Sequence, residues 1–447
     1  MKASFYNFEF PYDENSNKII FYNSRTNALA LIESEKHKQY KDFCSSGVAI
    51  ADEKLVEELT YGGFLIADDA DELDLIRYGL LQSRFATNRL SLTIAPTSDC
   101  NFRCIYCYEK DSLRHSTMTE EVQQSVIDYI KRLAPIISHL HISWYGGEPL
   151  LALDIMERLT REILEICEEN KIEYAAGIVT NGYLLTSQVA QKLGELHVSS
   201  IQVTLDGSRE QHDKRRPLNG GLPTFDKIIS NLKEAKDFLP CRVSIRVNVD
   251  KQNVSQVDEV LKILKENGLN EVTSVYLGMV ENSNGTYQDN KCFCTQEFSE
   301  LDYDFKVRNE MSRVWYYPQL VHNVCSADSV SGAVIDSDGL IYKCWNDIGI
   351  KERAIGNLLD GAFRNQQVSL SYLLYDPTQD EECKTCKYLP ICMGGCPHRR
   401  QFSPELRCNK LKYTMEKYIS DIAIQMKTER QANEQEGEQK PESSSNM

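Results

Sequence analysis

The chain has 447 residues, 41% hydrophobic and 26% charged, which suits two or three soluble globular domains. Its formal net charge of −16 runs against the basic balance of a general nucleic-acid or anionic-membrane binder, and neither partner is expected. No run approaches the roughly 18–20 uninterrupted apolar residues of a membrane span. The N-terminus, MKASFYNFEFPYDE, lacks a signal peptide's apolar core, so a cytoplasmic location is expected.

Residues 1–88 open with two strand-like runs, ASFYNFEF and KIIFYNS, separated by the turn-rich DENSN. Helical patterns follow in EKHKQYKDFC, DEKLVEELTYGG and DELDLIRYGLLQSRF. Two strands and about three short helices describe a small winged-helix-like module or, equally, a cap on the next domain. Residues 89–285 alternate strand and helix. Strands are expected at Ser91–Ala95, His141–Tyr145, Ala175–Thr180, Ile201–Leu205, Val243–Val249 and Val272–Leu277. One helix starts at Thr119, with Val122, Val126, Ile130 and Leu133 on one face and two glutamates in its first turn. Another starts at Thr224 and buries Phe225, Ile228, Ile229 and Leu232. Six alternations imply an α/β domain with a parallel sheet, open or curled into a partial barrel. Ligands on such sheets bind at the C-terminal strand ends. Residues 286–410 hold nine of the fifteen cysteines and show little periodicity, as expected of a domain organised by metal. Residues 411–428 read as a helix, and 429–447 as a polar, disordered tail.

Fifteen cysteines in a large cytoplasmic chain do not suit disulfides, because the cytosol is reducing. Their spacing suits metal or iron–sulfur sites. Directly after the first strand of the α/β region comes Cys100-Asn-Phe-Arg-Cys104-Ile-Tyr-Cys107. Three thiolates in a loop hold three irons of a cubane and leave the fourth open, whereas a structural site is normally closed by four ligands. Zinc, or unrelated cysteines, is the alternative. The second strand ends in Gly146-Gly147-Glu148-Pro149. Glycines there let backbone approach a ligand closely, and Glu148 supplies an acceptor for an ammonium group. The third strand ends in Thr180-Asn181-Gly182 and the fourth in Thr204-Leu205-Asp206-Gly207, with His212-Asp213 and Arg215-Arg216 beyond. Four successive strands thus place polar or glycine-rich turns at one end of the sheet.

On these motifs the chain resembles the radical S-adenosylmethionine superfamily. That resemblance implies a partial (β/α)6 barrel and a [4Fe-4S] cluster whose open iron is chelated by the methionine amino and carboxylate groups. One electron from the cluster then releases a 5′-deoxyadenosyl radical that abstracts a substrate hydrogen. Carried over by position, it implies that Cys100, Cys104 and Cys107 ligate the cluster. Tyr106 lies by the adenine, Gly147 and Glu148 by the methionine, Thr204 near the ribose and Arg216 near the carboxylate, with Leu277 touching the adenine.

The C-terminal cysteines follow a longer pattern: Cys325, thirteen residues, Gly339, four residues, Cys344, then Cys383-x2-Cys386-x5-Cys392-x3-Cys396 and Cys408. Zinc is the default for a bare Cys-x2-Cys, but the full series resembles the SPASM extension of these enzymes. That implies two auxiliary [4Fe-4S] clusters, an outer one on Cys383, Cys386, Cys392 and Cys408 and an inner one on Cys325, Cys344 and Cys396. Residue 319, where some relatives supply a fourth inner ligand, is Gln. Cys292 or Cys294 closes that cluster, or it stays open for a substrate thiolate. Cys44, Cys167 and Cys241 sit in apolar patterns and are expected as buried small hydrophobes.

Members of this group modify peptides or proteins. Sulfatase maturases carry an Asp directly after the cysteine matching Cys344; here Trp345, Asn346 and Asp347 follow it. That departure favours crosslinking of a ribosomally made precursor peptide through a Cys thioether. A thiol bound to metal is already deprotonated and needs less of a base. Residues 1–88 are expected to capture the peptide's leader by strand addition. A low-potential electron donor such as flavodoxin or ferredoxin is the second expected partner. Carbon–carbon crosslinking, formylglycine formation on a sulfatase, and a non-enzymatic metal-organised binding protein are the alternatives.

Overall fold

The structure, a computed structural model, describes residues 1–12, 16–113, 115–362 and 364–438. The chain forms two compact units: Met1–Leu81 with Thr295–Val324 and Asp376–Met447, and Gln82–Cys294 with Cys325–Tyr375.

The first unit begins with β1 (Lys2–Ala3), β2 (Asn7–Pro11), β3 (Lys18–Asn23) and β4 (Ala28–Glu33). Then come α1 (Ser34–Ser46), α2 (Glu53–Tyr61), β5 (Leu65–Ile66) and α3 (Glu72–Arg84). β2, β3 and β4 form an antiparallel meander, and β1 pairs with β5. Side chains alternate across a strand, and β3 is apolar on both sides. Its Phe21 packs with Ile32, Tyr40, Leu55, Leu59, Phe64 and Leu65. Its Ile20 and Tyr22 pack on the other face with Phe10, Tyr12 and, from the far end of the chain, Ile391, Met415, Ile419 and Ala423. The sheet is therefore covered on both faces. β4 was not among the expected strands: ALALIE runs into α1 without a turn residue, and its ladder with β3 decides its state.

The second unit carries β6 (Arg89–Ile94), α4 (Glu120–Leu133), β7 (His139–Trp144), α5 (Leu153–Asn170), β8 (Glu173–Thr180) and α6 (Ser187–Glu195). It continues with β9 (Val198–Thr204), α7 (Arg209–Arg215), α8 (Phe225–Ala235), β10 (Val243–Val249), α9 (Val257–Glu266) and β11 (Thr273–Met279). All six strands are parallel and adjacent in sequence order, so all six C-terminal ends share one edge. The expected helix start at Thr119 is a true cap, its hydroxyl accepting from Val122 N at 3.3 Å.

After α10 (Thr295–Arg308), which belongs to the first unit, the chain returns to the second. There β12 (Gly332–Ile335) lies parallel beside β6, and β13 (Leu340–Tyr342) and β14 (Gly356–Asn357) continue the sheet antiparallel to nine strands. α11 (Gln366–Leu373) closes this stretch. α12 (Leu389–Cys392), α13 (Pro397–Phe402) and α14 (Leu411–Glu438) complete the first unit.

Residues 286–410, expected as one domain, are thus divided. Three short strands within them find ladder partners on the main sheet, which low periodicity concealed. α14 continues ten residues beyond the expected end at 428, because ERQANEQEGE is rich in helix formers, lacks Pro and carries its one Gly only next to the last residue. The remainder of the expected tail lies outside the described residues. Among the described residues no helix is long and apolar enough to cross a membrane.

Candidate functional site

β6 delivers the chain to the cysteine loop. Asp99 N donates to Thr97 Oγ1 (3.0 Å) and Cys100 N to Asp99 Oδ1 (2.9 Å), two local turns that aim the loop. The end of β7 is stitched to it: Gly147 N donates to Thr97 O (3.3 Å) and Glu148 N to Asp99 O (2.9 Å). A Cβ on Gly147 would stand 2.0 Å from Asp99 O, so only glycine permits this approach. On the other side, Arg103 N donates to Pro217 O (2.8 Å), Ile105 N to Arg215 O (3.0 Å) and Asn219 N to Asn101 O (2.7 Å). The loop is held between the end of β7 and the segment that follows α7, far apart in sequence.

Cys100, Cys104 and Cys107 are unpaired thiols on this loop. Burial raises the pKa of all three, Cys100 to about 12 with a further contribution from Glu148, and Cys104 adds to the rise at both Cys100 and Cys107. Among the described residues no three His, Cys, Asp or Glu side chains are close enough to hold a single metal ion. The fit to a polynuclear cluster therefore rests on the donor chemistry: three desolvated thiols on one loop, which become thiolates only beside a cation.

Glu148 is 1% exposed. Its Oε1 accepts from Thr180 Oγ1 (2.7 Å) and Leu150 N (3.1 Å), and its Oε2 from Asn181 N (2.7 Å). Burial raises its pKa; the Asn181 and Thr180 hydrogen bonds and Arg216 oppose the rise. Asn181 reaches back to the cysteine loop, donating Nδ2 to Asn101 Oδ1 at 2.7 Å. The second and third strand ends and the cysteine loop thus form one polar assembly.

Tyr106 is the second hub. Its hydroxyl donates to Asp206 Oδ2 and accepts from Arg216 Nη1 (2.8 Å) and Asn248 Nδ2 (3.0 Å). Arg215 stacks 4.9 Å from the centre of its ring, and Tyr287 meets the ring edge-on. Asp206, fully buried, also accepts from Arg215 Nε (3.4 Å) and Asn248 N (3.0 Å). Arg215 in turn donates to Asp250 Oδ2 (2.8 Å), which Tyr287 OH also approaches (2.7 Å). Burial drives the His212 pKa down, and Arg216 and Arg215 lower it further.

Of the sequence-derived residues, the structure brings together Cys100, Cys104, Tyr106, Cys107, Gly147, Glu148 and Arg216. Thr204 and Leu277 are buried strand residues, registered opposite Arg246 and Val247 and outside this polar assembly. Asn181, Asp206, Asn248, Asp250 and Tyr287 carry much of the network but had no assigned role. For four of them the signal was present, a polar residue at or just past the end of an apolar strand. Tyr287, on a loop, had none.

In the first unit, Cys383, Cys386, Cys392 and Cys408 line one pocket with Arg407 and Lys412. A Cβ on Gly395 would fall 1.7 Å from Arg407 O, so glycine lets the segment after Cys392 lie against the one carrying Cys408. Lys412 Nζ stands 3.8 Å from Cys408 Sγ. Glu382 lines the same pocket and, with Asp380, pairs with Arg407. Four thiols with Lys412 beside Cys408 fit a thiolate-held centre.

The other expected ligands are divided: Cys325 and Cys344 belong to the second unit and Cys396 to the first. Lys343, 3% exposed, donates to Ser329 O (2.6 Å) and Gly332 O (2.7 Å) beside Cys325. Cys292 sits among the carboxylates of Asp289, Asp250 and Glu281. Trp345 stacks on Tyr145, with ring centres 5.3 Å apart. Asp347 is fully buried, accepting from Arg353 Nη1 (2.9 Å) and Tyr372 OH (3.1 Å). Of the three cysteines expected to be buried, Cys167 is buried and Cys241 partly so, but Cys44 is exposed. On α1 the inward positions are Tyr40 and Phe43, and Cys44 turns past them.

Residues 94–262 match the Radical SAM superfamily model, so the chain carries a radical S-adenosylmethionine domain. It is 26% identical over 360 residues to the cysteine-type anaerobic sulfatase-maturating enzyme of Clostridium perfringens, covering 74% of this chain and 94% of that protein. It is 26% identical over 331 residues to the mycofactocin maturase MftC of Mycolicibacterium smegmatis, covering 70% and 79%. Its fold is similar to native anSMEcpe with bound AdoMet and the Cp18Cys peptide (TM-score 0.57, 22% identity, 76% of this chain and 99% of that one). It is also similar to Streptococcus suis SuiB bound to its precursor peptide SuiA (TM-score 0.52, 17% identity, 91% and 98%).

Proposed function

We propose that the protein is a peptide maturase that crosslinks a ribosomally made precursor through a Cys thioether. The observation that carries the radical chemistry is the Cys100–Cys107 loop stitched to Gly147-Glu148 and to Arg215–Asn219. In this reading Cys100, Cys104 and Cys107 hold a [4Fe-4S] cluster, and Glu148 and Arg216 bind the amino and carboxylate groups of S-adenosylmethionine. When bound, the cluster supplies the electron that cleaves that sulfonium to a 5′-deoxyadenosyl radical. Tyr106, pinned by Asp206, Arg216 and Asn248, walls the nucleoside side, with Thr204 and Leu277 as further contacts. Fixing these groups in a water-poor strand-end site orients the ligand and protects a reactive species.

A peptide substrate is supported by two observations. The first unit holds an antiparallel meander whose edge strands β2 and β4 offer ladder groups to an incoming strand. The match to SuiB leaves only about 9% of this chain uncovered, so it reaches into the first 88 residues. Cys383, Cys386, Cys392 and Cys408 would hold an outer [4Fe-4S] cluster. A flavodoxin- or ferredoxin-like carrier would supply the first electron.

Formylglycine formation is the second reading, favoured by the match to 94% of a sulfatase-maturating enzyme. Against it, Trp345 occupies the position after Cys344 and stacks on Tyr145, while the Asp347 carboxylate is committed to Arg353 and Tyr372. Anaerobic incubation of reconstituted protein with S-adenosylmethionine, a reductant and the peptide encoded beside its gene, read by mass spectrometry, tests both. Loss of two hydrogens tied to a cysteine, with 5′-deoxyadenosine formed, is expected. Turnover of a sulfatase-derived peptide instead would select the second reading.

A further inference from the structure

Tyr6 stands between β1 and β2 and is 1% exposed. Its ring packs with Ile76, Leu80, Leu389 and Met393, and Cys383 lies against the same cluster. Its backbone is committed, the N–H donating to Ser4 Oγ (3.2 Å) and the carbonyl accepting from Ser24 N (3.1 Å). Its hydroxyl is not: among the described residues it is fully buried with no hydrogen-bond partner. A buried hydroxyl left unpaired costs about 1–3 kcal/mol, and such an atom in a native core marks an acceptor not yet counted.

Besides burial, Glu72, Cys386 and Asp71 all act to raise the pKa of this hydroxyl, and Arg25 opposes them. Glu72 is already occupied. Its Oε1 accepts from Ser4 Oγ (2.6 Å) and Arg25 Nε (2.7 Å), and its Oε2 from Phe5 N (2.8 Å). Asp71 is exposed, and its Oδ1 accepts from Asp74 N (3.1 Å). The packing of the Tyr6 ring on Leu389, Met393 and Cys383 points to the cysteine side. The loop that follows Cys386 is tied to the same N-terminal strands, Ser24 Oγ donating to Lys387 O (2.6 Å) and Lys387 Nζ to Asn7 O (2.9 Å). Tyr6 therefore cannot drift from the cysteine pocket without breaking these bonds.

We propose that the Tyr6 hydroxyl donates a hydrogen bond to the iron–sulfur centre held by Cys383, Cys386, Cys392 and Cys408, on the Cys386 sulfur or an inorganic sulfide. This rests on the reading of those four cysteines as cluster ligands. A donor to cluster sulfur stabilises the more negative, reduced state and raises the potential. The N-terminal module, which the peptide reading assigns to leader capture, would thus set the potential of a redox centre built from the other end of the chain.

The test is an anaerobic redox titration of full-length reconstituted protein followed by electron paramagnetic resonance. Tyr6→Phe keeps the ring and removes only the donor. We expect wild-type iron and sulfide content and an unchanged melting temperature, with one cluster signal moved to a more negative midpoint. Unchanged midpoints at full iron content would overturn the assignment. Should Tyr6→Phe not fold, 3-fluorotyrosine at position 6, a stronger donor of nearly the same size, is expected to move the same signal to a more positive midpoint; no movement would overturn it. Cys386→Ala separates the two levels. Unchanged iron in that variant removes the cluster reading and the Tyr6 assignment with it. Lowered iron, with no shift in either Tyr6 variant, removes the Tyr6 assignment alone.

Discussion

The cysteines of the two units are held in opposite ways. In the second unit the Cys100–Cys107 loop hangs from the end of a nine-stranded sheet. Its shape is set by backbone hydrogen bonds from Arg103 and Ile105 to Pro217 and Arg215, and its entry by those from Gly147 and Glu148, at the end of β7, to Thr97 and Asp99. In the first unit, Cys383–Cys408 lie on turns and on helices of four and six residues. The apolar support there is a pair of small clusters assembled from residues at the two ends of the chain. A loop on a sheet keeps its form without a ligand. A run of one-turn helices is too short to be stable alone and leans on whatever its thiols bind. The same residue type at similar spacing is thus carried by the end of a sheet in one unit and by turns and short helices in the other.

The largest effect that would sharpen this contrast is on activity. Cys100→Ala, Cys104→Ala and Cys107→Ala together are expected to abolish 5′-deoxyadenosine formation while the amides of β6–β11 stay protected from exchange. Retained cleavage would remove the primary site. Next, stripping iron with a chelator is expected to deprotect the amides between 383 and 408 by hydrogen–deuterium exchange and to leave those of β6–β11 unchanged. Equal deprotection of both would break the comparison. Smaller still, Asp206→Ala takes one of its two carboxylates from Arg215 and takes its acceptor from the Tyr106 hydroxyl that Arg216 contacts. Breaking such a buried pair costs about 3–5 kcal/mol. The loss should appear in denaturant stability reported by β8–β10 and spare the helix α14. A loss under about 1 kcal/mol would mean that Asp250 alone neutralises Arg215.

Much of the second unit was legible because a single local rule generated it. VSIRVNV is apolar at alternate positions and flanked by helical patterns, and it is strand β10 with the expected ends, Val243 and Val249. The other five parallel strands fall within a few residues of their expected positions. Cys100, Gly147 and Glu148 were legible for the same reason, since motif residues at strand ends inherit their place from the strands. β4 and β12 were not, because ALALIE and GAVI become strands through partners supplied elsewhere. Nor was the division of residues 286–410 between two units, since spacing records ligand types and not the body each ligand joins.

The sequence by itself determined the class of chemistry. Cysteine spacing, the Gly-Gly-Glu-Pro turn and six alternations of strand and helix are local features, and they survive without knowledge of any long-range contact. Tertiary structure decided which polar groups meet. Tyr106, Asp206, Arg216 and Asn248 converge from four places in the chain, and Tyr6 comes to rest beside cysteines from the far terminus. Such meetings depend on how sheet, helices and loops close around one another. The burial that makes them strong is a property of the folded body, and no stretch of sequence carries it alone.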